Sequence, residues 1–243
     1  MRLAALVLAA LLLAGPGSAT PPNVILKAAY AEPTTRYDHG VLGDAVEWGA
    51  LVLTVDTCDG CAERQVRRFT IRLPENRVFE DIAPRIIHDE FAMTYAMVVE
   101  SDLALGARLA IYTAAGLAFA TPFIGQSHRW LAPVGAGDLD GDGIPEIAYV
   151  EKPHLSRELK VWRFSEAGLE HVASLGGLSN HRIGEDFISG GIRDCGDGPE
   201  MVTADAGWQN VMATRLVAGR LVTRAIGAFT GTGSFAAAMG CAE

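Results

Sequence analysis

The segment GAGDLDGDGIPEIAYV, residues 135 to 150, sets acidic side chains at alternate positions of a glycine-rich stretch that runs into apolar residues. Counted from the first aspartate, carboxylates stand at relative positions 1, 3, 5 and 9, and a backbone carbonyl is available at position 7. Alternate carboxylates on a tight turn face a common point, and calcium takes such all-oxygen ligand sets. We therefore predict a Ca²⁺ site whose ligands are the side chains of Asp138, Asp140, Asp142 and Glu146 and the carbonyl of Ile144.

Three other interpretations of this segment are less well supported. Magnesium is less suitable, because it tends to keep its water ligands. An EF-hand would need its acid at position 12, where the chain has Tyr149 in the apolar run IAYV, which is typical of a strand. A hairpin turn without metal needs only Gly141 and Gly143 at positive φ, although neighbouring carboxylates in an empty turn would repel one another. The calcium interpretation is favoured.

The loop resembles those of the FG-GAP and VCBS repeat family, the calcium-loop blades that are also found in integrin alpha-chain propellers. That resemblance implies a β-propeller with calcium-binding blades. It also implies a non-catalytic module that binds a protein or a glycan. The partner itself is not indicated by the residues.

Internal repeats of about fifty residues indicate the architecture. His128-Arg129 recurs 53 residues later at His181, and Pro145-Glu146 recurs 54 residues later at Pro199. A repeat of this length with about four short strands suits a propeller blade. We predict an all-β fold, a small β-propeller of about four blades, with five blades or a β-sandwich as alternatives. The expected units are approximately residues 23–80, 81–127, 128–180 and 181–243.

The N-terminus predicts an exported protein, and the net charge disfavours some classes of partner. Residues 1–19 have a basic start and an apolar core of signal-peptide length, which leaves one domain at 20–243. No later apolar run reaches the length of a membrane span. Removing the leader with Arg2 would change the formal charge from −9 to −10, which disfavours nucleic acid and anionic membranes as partners. A periplasmic or secreted location is expected.

The segment IRDCGDGPEM, residues 192 to 201, is a second copy of the acidic loop with its ligands altered. Aligning the two Pro-Glu pairs sets Arg193 opposite Asp138, with one residue deleted further on. A cation in place of an anion predicts that Arg193 neutralises Asp197 and Glu200 instead of a metal. One calcium ion per chain is therefore expected.

Four cysteines in an exported chain suggest disulfides. Cys58 and Cys61 flank the turn signal Asp-Gly between two β-rich runs, so a local bond is expected. A thioredoxin-like role for this pair is disfavoured, because no helical pattern follows it. Cys195 and Cys241 are then left for each other, the alternative being that both remain free.

Signatures of common enzyme classes are missing from the sequence, including GxSxG, HExxH and the P-loop. The histidines near the start of the repeats are the main candidates for chemistry, since a propeller would bring them towards its axis. The favoured interpretation is structural pairing with acids such as Asp89 or Asp186. The alternative function is an exported hydrolase or lyase that uses Asp89 or Glu90 with these histidines: His39, His88, His128 and His181.

Overall fold

The computed structural model describes residues 23–58, 61–89, 93–165 and 167–241. Over these residues the chain consists of antiparallel strands and one short helix at the C-terminal end. The all-β prediction is therefore confirmed. The predicted signal peptide at 1–19, Glu90 and the turn between Cys58 and Cys61 lie outside the described residues.

The first sheet has eight strands in the order β1-β2-β4-β6-β7-β8, with β3 paired to β2 and β5 paired to β6. Its strands are β1 (Val24–Thr34), β2 (Glu47–Asp56), β3 (Val66–Arg72), β4 (Arg77–Phe79), β5 (Arg85–His88), β6 (Thr94–Asp102), β7 (Gly106–Thr113) and β8 (Gly116–Ala120). The short strand β4 joins two smaller groups, because it pairs with β2 at Trp48 and with β6 at Asp102.

The second and third sheets follow in chain order. The second has the order β12-β11-β10-β9, and the third has the order β13-β15-β16-β17 with β14 paired to β15. Their strands are β9 (Leu131–Gly137), β10 (Glu146–Glu151), β11 (Glu158–Ser165), β12 (Gly168–Gly176), β13 (Leu178–Ser179), β14 (Gly191–Asp194), β15 (Pro199–Asp205), β16 (Asn210–Val217) and β17 (Arg220–Ala228). The helix α1 spans Thr232–Met239.

The strands thus form four successive antiparallel groups, β1 to β3, β5 to β8, β9 to β12 and β14 to β17. Inner strands such as β10, with the sequence EIAYVE, are buried on both faces, whereas the last strand of a group, such as β17, is largely exposed. The sequence of a strand that is covered on both faces is typically a continuous run of apolar residues. The sequence of β10 therefore fits its position inside the group.

Three apolar clusters fill the spaces between successive groups. Leu51 and Val98 belong to the cluster between the first and second groups, and Met97 and Ile147 to the next. Val161 and Met201 belong to the cluster between the third and fourth groups. The described residues do not show a closed four-bladed propeller, since β4 merges the first two groups into one sheet.

The C-terminal end folds against the last group. Phe235 and Ala238 of α1 are buried with Val202 and Val211 of the third sheet. Within the described part of the chain, no helix has the length and apolar character needed to cross a membrane.

Candidate functional site

The turn between β9 and β10 brings together three of the acidic side chains that the sequence predicts as metal ligands. Carboxylate oxygens of Asp138, Asp140 and Glu146 lie within 4.8 Å of one another. Calcium–oxygen distances are about 2.3 to 2.6 Å, so two oxygens on opposite sides of one calcium ion are about 5 Å apart. These three side chains therefore fit around a single metal ion.

Asp138 organises the backbone of this turn. Its Oδ1 accepts hydrogen bonds from the amides of Gly141 and Asp142 at 2.7 and 3.1 Å, and its Oδ2 accepts one from Gly143 at 3.0 Å. Both glycines have positive φ, 85° and 91°, which a side chain would strain. Carboxylates commonly stabilise turns in this way. Asp138 therefore supports the turn and also points an oxygen at the cluster.

Glu146, the first residue of β10, is the buried member of the cluster, with no exposed surface. Its Oε2 accepts a hydrogen bond from the amide of Leu139 at 2.8 Å, and its Oε1 accepts one from Arg163 Nε at 2.6 Å. Burial raises the pKa of Glu146 above its ordinary value, and these hydrogen bonds oppose that shift. The carboxylate is held at the base of the turn by two donors.

Arg163 is the residue of this site that sequence reasoning missed. It lies on β11 directly opposite Glu146, and its guanidinium also contacts Asp140 and lies 3.2 Å from Asp142 Oδ2. The guanidinium thus meets three carboxylates of the turn. The only sequence signal for it is the strand VWRFS, which gives no partner across the sheet. A metal ion at this turn has to share the carboxylates with Arg163 or displace it.

The structure does not test the other two predicted ligands, Asp142 and Ile144, in the same way. Asp142 is not part of the three-residue cluster of side chains found among the described residues, and the predicted ligand of Ile144 is a backbone carbonyl, which such a cluster does not include. Asp142 Oδ1 accepts a hydrogen bond from the Ile144 amide at 2.8 Å, while its other oxygen faces Arg163. Their role as ligands therefore remains a prediction from spacing.

The corresponding loop of the fourth group is shorter than the alignment indicated. Glu146 pairs across the sheet with Gly137, and Glu200 pairs with Arg193. Eight residues, 138 to 145, separate the first pair, and six residues, 194 to 199, separate the second. The residue equivalent to Asp138 is therefore Asp194 rather than Arg193, and the predicted alignment is wrong by one position at that point.

Asp194 repeats the turn-supporting role of Asp138. Its Oδ1 accepts hydrogen bonds from the amides of Gly196 and Gly198 at 2.8 and 3.1 Å. The acid that begins the turn is thus present in both loops. Glu200 corresponds to Glu146, but no group of three carboxylates close enough for one metal ion is found among the described residues of the fourth group.

Glu200 is paired with two arginines. Arg193 donates to Glu200 Oε2 at 3.0 Å, and Arg224 contacts both carboxylate oxygens. The hydrogen bond from Arg224 and then that from Arg193 lower the pKa of Glu200, against the effect of burial. The predicted pairing of Arg193 with Glu200 is present, whereas a pairing with Asp197 is not among the ion pairs of the described residues.

Two disulfides are present, Cys58–Cys61 and Cys195–Cys241, with Cα atoms 5.8 and 5.7 Å apart. These are the pairings that the sequence favours. The second bond joins the loop of the fourth group to the residue that follows α1 and the glycine at its end. Near it, Arg193 Nη1 donates to the carbonyl of Ala238 at 2.5 Å.

The predicted histidines gather in part. The rings of His39 and His128 lie 5.2 Å apart, whereas His181 contacts His154, which the sequence interpretation did not include. His88 ends β5 and is exposed.

The acid partners predicted for the histidines are wrong. His128 pairs with Asp38, and His181 contacts the backbone carbonyl of Glu185. The pairing of His128 with Asp38 could not be predicted from a sequence pattern, because the two residues are 90 positions apart and meet only in the folded chain. Asp89, the predicted acid–base group, accepts hydrogen bonds from the Met93 amide and from the Tyr95 hydroxyl.

Comparison of the chain with known protein families, curated proteins and solved structures finds no match. The resemblance to FG-GAP and VCBS repeats therefore depends on the residues of the acidic loop alone. The function is argued below from the geometry of the site.

Proposed function

We propose that the chain is an exported, non-catalytic calcium-binding module of the FG-GAP/VCBS β-propeller type, which binds a protein or a glycan. The observation that carries this proposal is the acidic turn between β9 and β10. Three carboxylates there have oxygens within 4.8 Å of one another, and a buried glutamate forms its base. The proposed function of the ion is to stiffen a binding surface.

The chemistry of the donors favours calcium. All three side chains offer hard oxygen ligands, which suit calcium, magnesium or manganese rather than softer metals. Calcium accepts six to eight oxygens in a flexible arrangement, so the turn carbonyls and water can complete the set. Magnesium demands near-ideal octahedral geometry and usually keeps several waters while binding one or two carboxylates, so a cluster of three carboxylates suits it less.

Arg163 gives the turn a second source of positive charge. Without metal, its guanidinium offsets part of the repulsion among Asp140, Asp142 and Glu146. Calcium therefore competes with a cation that is already in contact with the ligands. A weak affinity follows, with a dissociation constant on the order of 10⁻⁴ to 10⁻³ M, as in other extracellular calcium modules.

Export is supported by the disulfides. Bonds of this kind persist in oxidising compartments, and all four cysteines of the chain are paired. The signal peptide predicted at 1–19 agrees with the same location. A periplasmic or secreted module is therefore the proposed setting.

The alternative function, an exported hydrolase or lyase, has one observation in its favour. His39, His128 and His154 line a single cavity, and imidazoles act as general acids and bases. No carboxylate lines that cavity among the described residues, whereas most glycosidases need a carboxylate pair. Assays of the purified protein with esterase, phosphatase, glycosidase and polysaccharide-lyase substrates test this alternative, and turnover abolished by His154→Gln would support it.

The first prediction concerns the metal. Asp138→Asn keeps an oxygen for the turn amides but removes one charge from the cluster, so it should abolish calcium binding. Isothermal titration after chelator treatment should give one calcium per unmodified chain. At a calcium concentration 100 times the dissociation constant, the unmodified protein should gain about 2.7 kcal/mol of stability and the variant almost none.

Asp194→Asn is the matched control, because Asp194 supports the equivalent turn in the fourth group. It should weaken its own turn and leave calcium binding unchanged. Absence of calcium heat and of any calcium-dependent melting shift in the unmodified protein would overturn the proposal. Two calcium ions per chain would contradict the claim that the fourth loop binds none.

A further inference from the structure

Arg215 on β16 is the counterpart of Arg163 on β11. The register of β15 with β16 pairs Met201 with Thr214 and, continued by one residue, sets Arg215 opposite Glu200. Arg163 lies opposite the buried glutamate of its own group in the same way. The two arginines therefore hold equivalent positions in the third and fourth groups.

The partners of the two arginines differ. The guanidinium of Arg163 contacts three carboxylates of its turn. Glu200 is instead bound by Arg193 and by Arg224, which contacts both of its carboxylate oxygens. Within the described ranges of the chain, Arg215 has no hydrogen bond and no ion pair. An arginine that has carboxylate partners in one group is thus without them in the other.

The position of Arg215 depends on the turn beside it. Gly198 has a φ of 94°, and a Cβ atom at this residue would lie 2.9 Å from Arg215 Nη2. Such an approach is too close for a side chain, so the guanidinium can lie against the turn because this residue is glycine. Arg215 is also partly buried. Its charged group therefore lies at the protein surface in a defined place.

Arg215 lines a cavity of about 340 Å³ beside this turn. Pockets for small ligands occupy about 300 to 1,000 Å³. Two valines of the same cavity, Val217 and Val222, are 49% and 58% exposed. The cavity thus combines a guanidinium that has no partner with apolar side chains. It suits a small ligand that carries both an anionic group and an apolar group.

The acids of the lining limit the charge of such a ligand. Glu200 lines the cavity, but Arg193 and Arg224 already bind its carboxylate. Asp197 also lines the cavity, and no ion pair joins it to Arg215 in the part of the chain that the structure describes. These carboxylates repel a dianion more strongly than a monoanion. A single carboxylate, by contrast, matches one guanidinium with two parallel hydrogen bonds.

We propose that this cavity binds an aliphatic carboxylate, with the carboxylate paired with Arg215 and the aliphatic chain against Val217 and Val222. A free short-chain acid and the C-terminus of a peptide that ends in an apolar residue both present this chemistry. The site goes beyond the proposed calcium-dependent function, because it shares no residue with the acidic turn of the third group.

An internal ion pair between Asp197 and Arg215 is the competing interpretation. Asp197 belongs to an exposed turn, and rotation of its side chain towards the guanidinium would exclude a ligand. In that case the unmodified chain should bind no carboxylate at this cavity. The experiment below therefore observes Arg215 directly.

The experiment uses NMR of the full chain, isotopically labelled at arginine, and follows the side-chain Nε–Hε signals. The probes are isovalerate, its neutral amide, phosphate and N-acetylglycylvaline. Isovalerate or N-acetylglycylvaline should shift the Arg215 signal saturably, and the tighter of the two assigns the ligand to free acids or to peptide termini. The neutral amide and phosphate should bind about tenfold more weakly or less, because neither matches one guanidinium with a single negative charge.

Arg215→Gln should weaken binding of the carboxylate by about tenfold or more, because it removes the guanidinium and keeps a polar side chain. The other arginine signals should keep their positions in this variant, which shows that it is folded. Arg220→Gln is the matched control, since it removes an exposed arginine of β17 that does not line the cavity, and it should leave binding unchanged.

Two further variants test the neighbouring acids. Asp197→Asn should bind the carboxylate at least as tightly as the unmodified chain, because a competing acid has been removed. Asp138→Asn should leave carboxylate binding unchanged, so failure of the calcium site and failure of this site are distinguishable.

Four results would overturn the inference. The first is the absence of a saturable shift of the Arg215 signal in the unmodified chain. The second is binding of the neutral amide or of phosphate as tight as that of the carboxylate. The third is unchanged binding in Arg215→Gln, and the fourth is weaker binding in Asp197→Asn.

Discussion

The acidic turn between β9 and β10 and the loop between β14 and β15 begin alike and differ in what balances their charge. Asp138 and Asp194 each accept hydrogen bonds from backbone amides of the following turn. The first turn then adds acids around one arginine, whereas the second sets two arginines around one glutamate. Both loops therefore begin with an aspartate that accepts hydrogen bonds from backbone amides, but acids outnumber arginines in the first and arginines outnumber the buried glutamate in the second.

The two buried glutamates show what this difference means. Burial raises the pKa of Glu146, while hydrogen bonds from Arg224 and Arg193 lower that of Glu200. A carboxylate whose ionised form is under-compensated favours an added cation, and one that is fully paired does not. The ratio of acids to arginines thus differs between the two turns, and the proposed metal binding is expected only at the first.

The second loop has a covalent support as well. The disulfide Cys195–Cys241 ties it to the C-terminal segment, and Arg193 binds the last turn of α1 through the carbonyl of Ala238. The first turn has no such bond, since all four cysteines lie elsewhere. One turn is therefore stabilised covalently and the other is proposed to depend on calcium.

The largest predicted effect tests this division. Cys195→Ser with Cys241→Ser opens a bond between residues 46 positions apart, and chain-entropy reasoning gives a loss of about 4 kcal/mol. Denaturant unfolding of oxidised protein measures it. Calcium binding at the other turn should persist, because that site shares no residue with the bond.

Cys58→Ser with Cys61→Ser is the control for general loss of disulfides. These residues are only three positions apart, so the same model gives about 1 to 2 kcal/mol. An equal loss from both double variants would show that the position of the bond is unimportant and would break the contrast between the turns.

The next effect concerns Arg163, whose role differs from that of the arginines at Glu200. Arg163→Met removes the guanidinium from three carboxylates, so without calcium we expect a loss of about 2 to 3 kcal/mol. Calcium should bind about tenfold more tightly, because a competing cation has gone. Calorimetry and melting curves with and without calcium measure both quantities.

Arg224→Met is the corresponding change in the fourth group. It should reduce stability by a smaller amount, since Arg193 still pairs with Glu200. It should not create calcium binding, because the described residues of the fourth group hold no three carboxylates close enough for one ion. Weaker calcium binding by Arg163→Met would show that the arginine orients the ligands instead of competing for them.

Much of the fold follows from sequence patterns, and the site follows only in part. The run IAYV predicts a buried strand because its apolar residues are continuous, and Asp138, Asp140 and Glu146 converge because they share one short turn. Both are local consequences of chain geometry. Local patterns of this kind survive folding with little change.

Pairings across the sheet were not predictable in the same way. Arg163 lies 17 residues from Glu146, and the one-position error at Arg193 arose because aligning Pro-Glu pairs ignores the shorter loop. The strand β4, three residues long, joins two groups through pairings that no repeat indicates. Register between strands depends on side-chain packing that spacing alone does not encode.

The smallest predicted effect uses pH to separate the two glutamates. The folded pKa of Glu200 is below the ordinary value of 4.5, so its contribution to stability is present above that pH and is lost as the pH falls through the folded pKa. Glu200→Gln should cost about 1 to 2 kcal/mol at pH 7 and should flatten the acid side of the stability curve.

Glu146→Gln should act in the opposite sense in calcium-free protein. Its folded pKa is above 4.5, so its contribution is present below that pH and is lost as the pH rises through the folded pKa. The glutamine variant should therefore lose less stability between pH 4 and pH 7 than the unmodified chain does. Denaturant unfolding at several pH values, with chelator, measures both slopes. Parallel curves for the two variants would mean that the glutamates are equally compensated, and the difference proposed between a metal-dependent turn and an arginine-paired turn would then have no electrostatic basis.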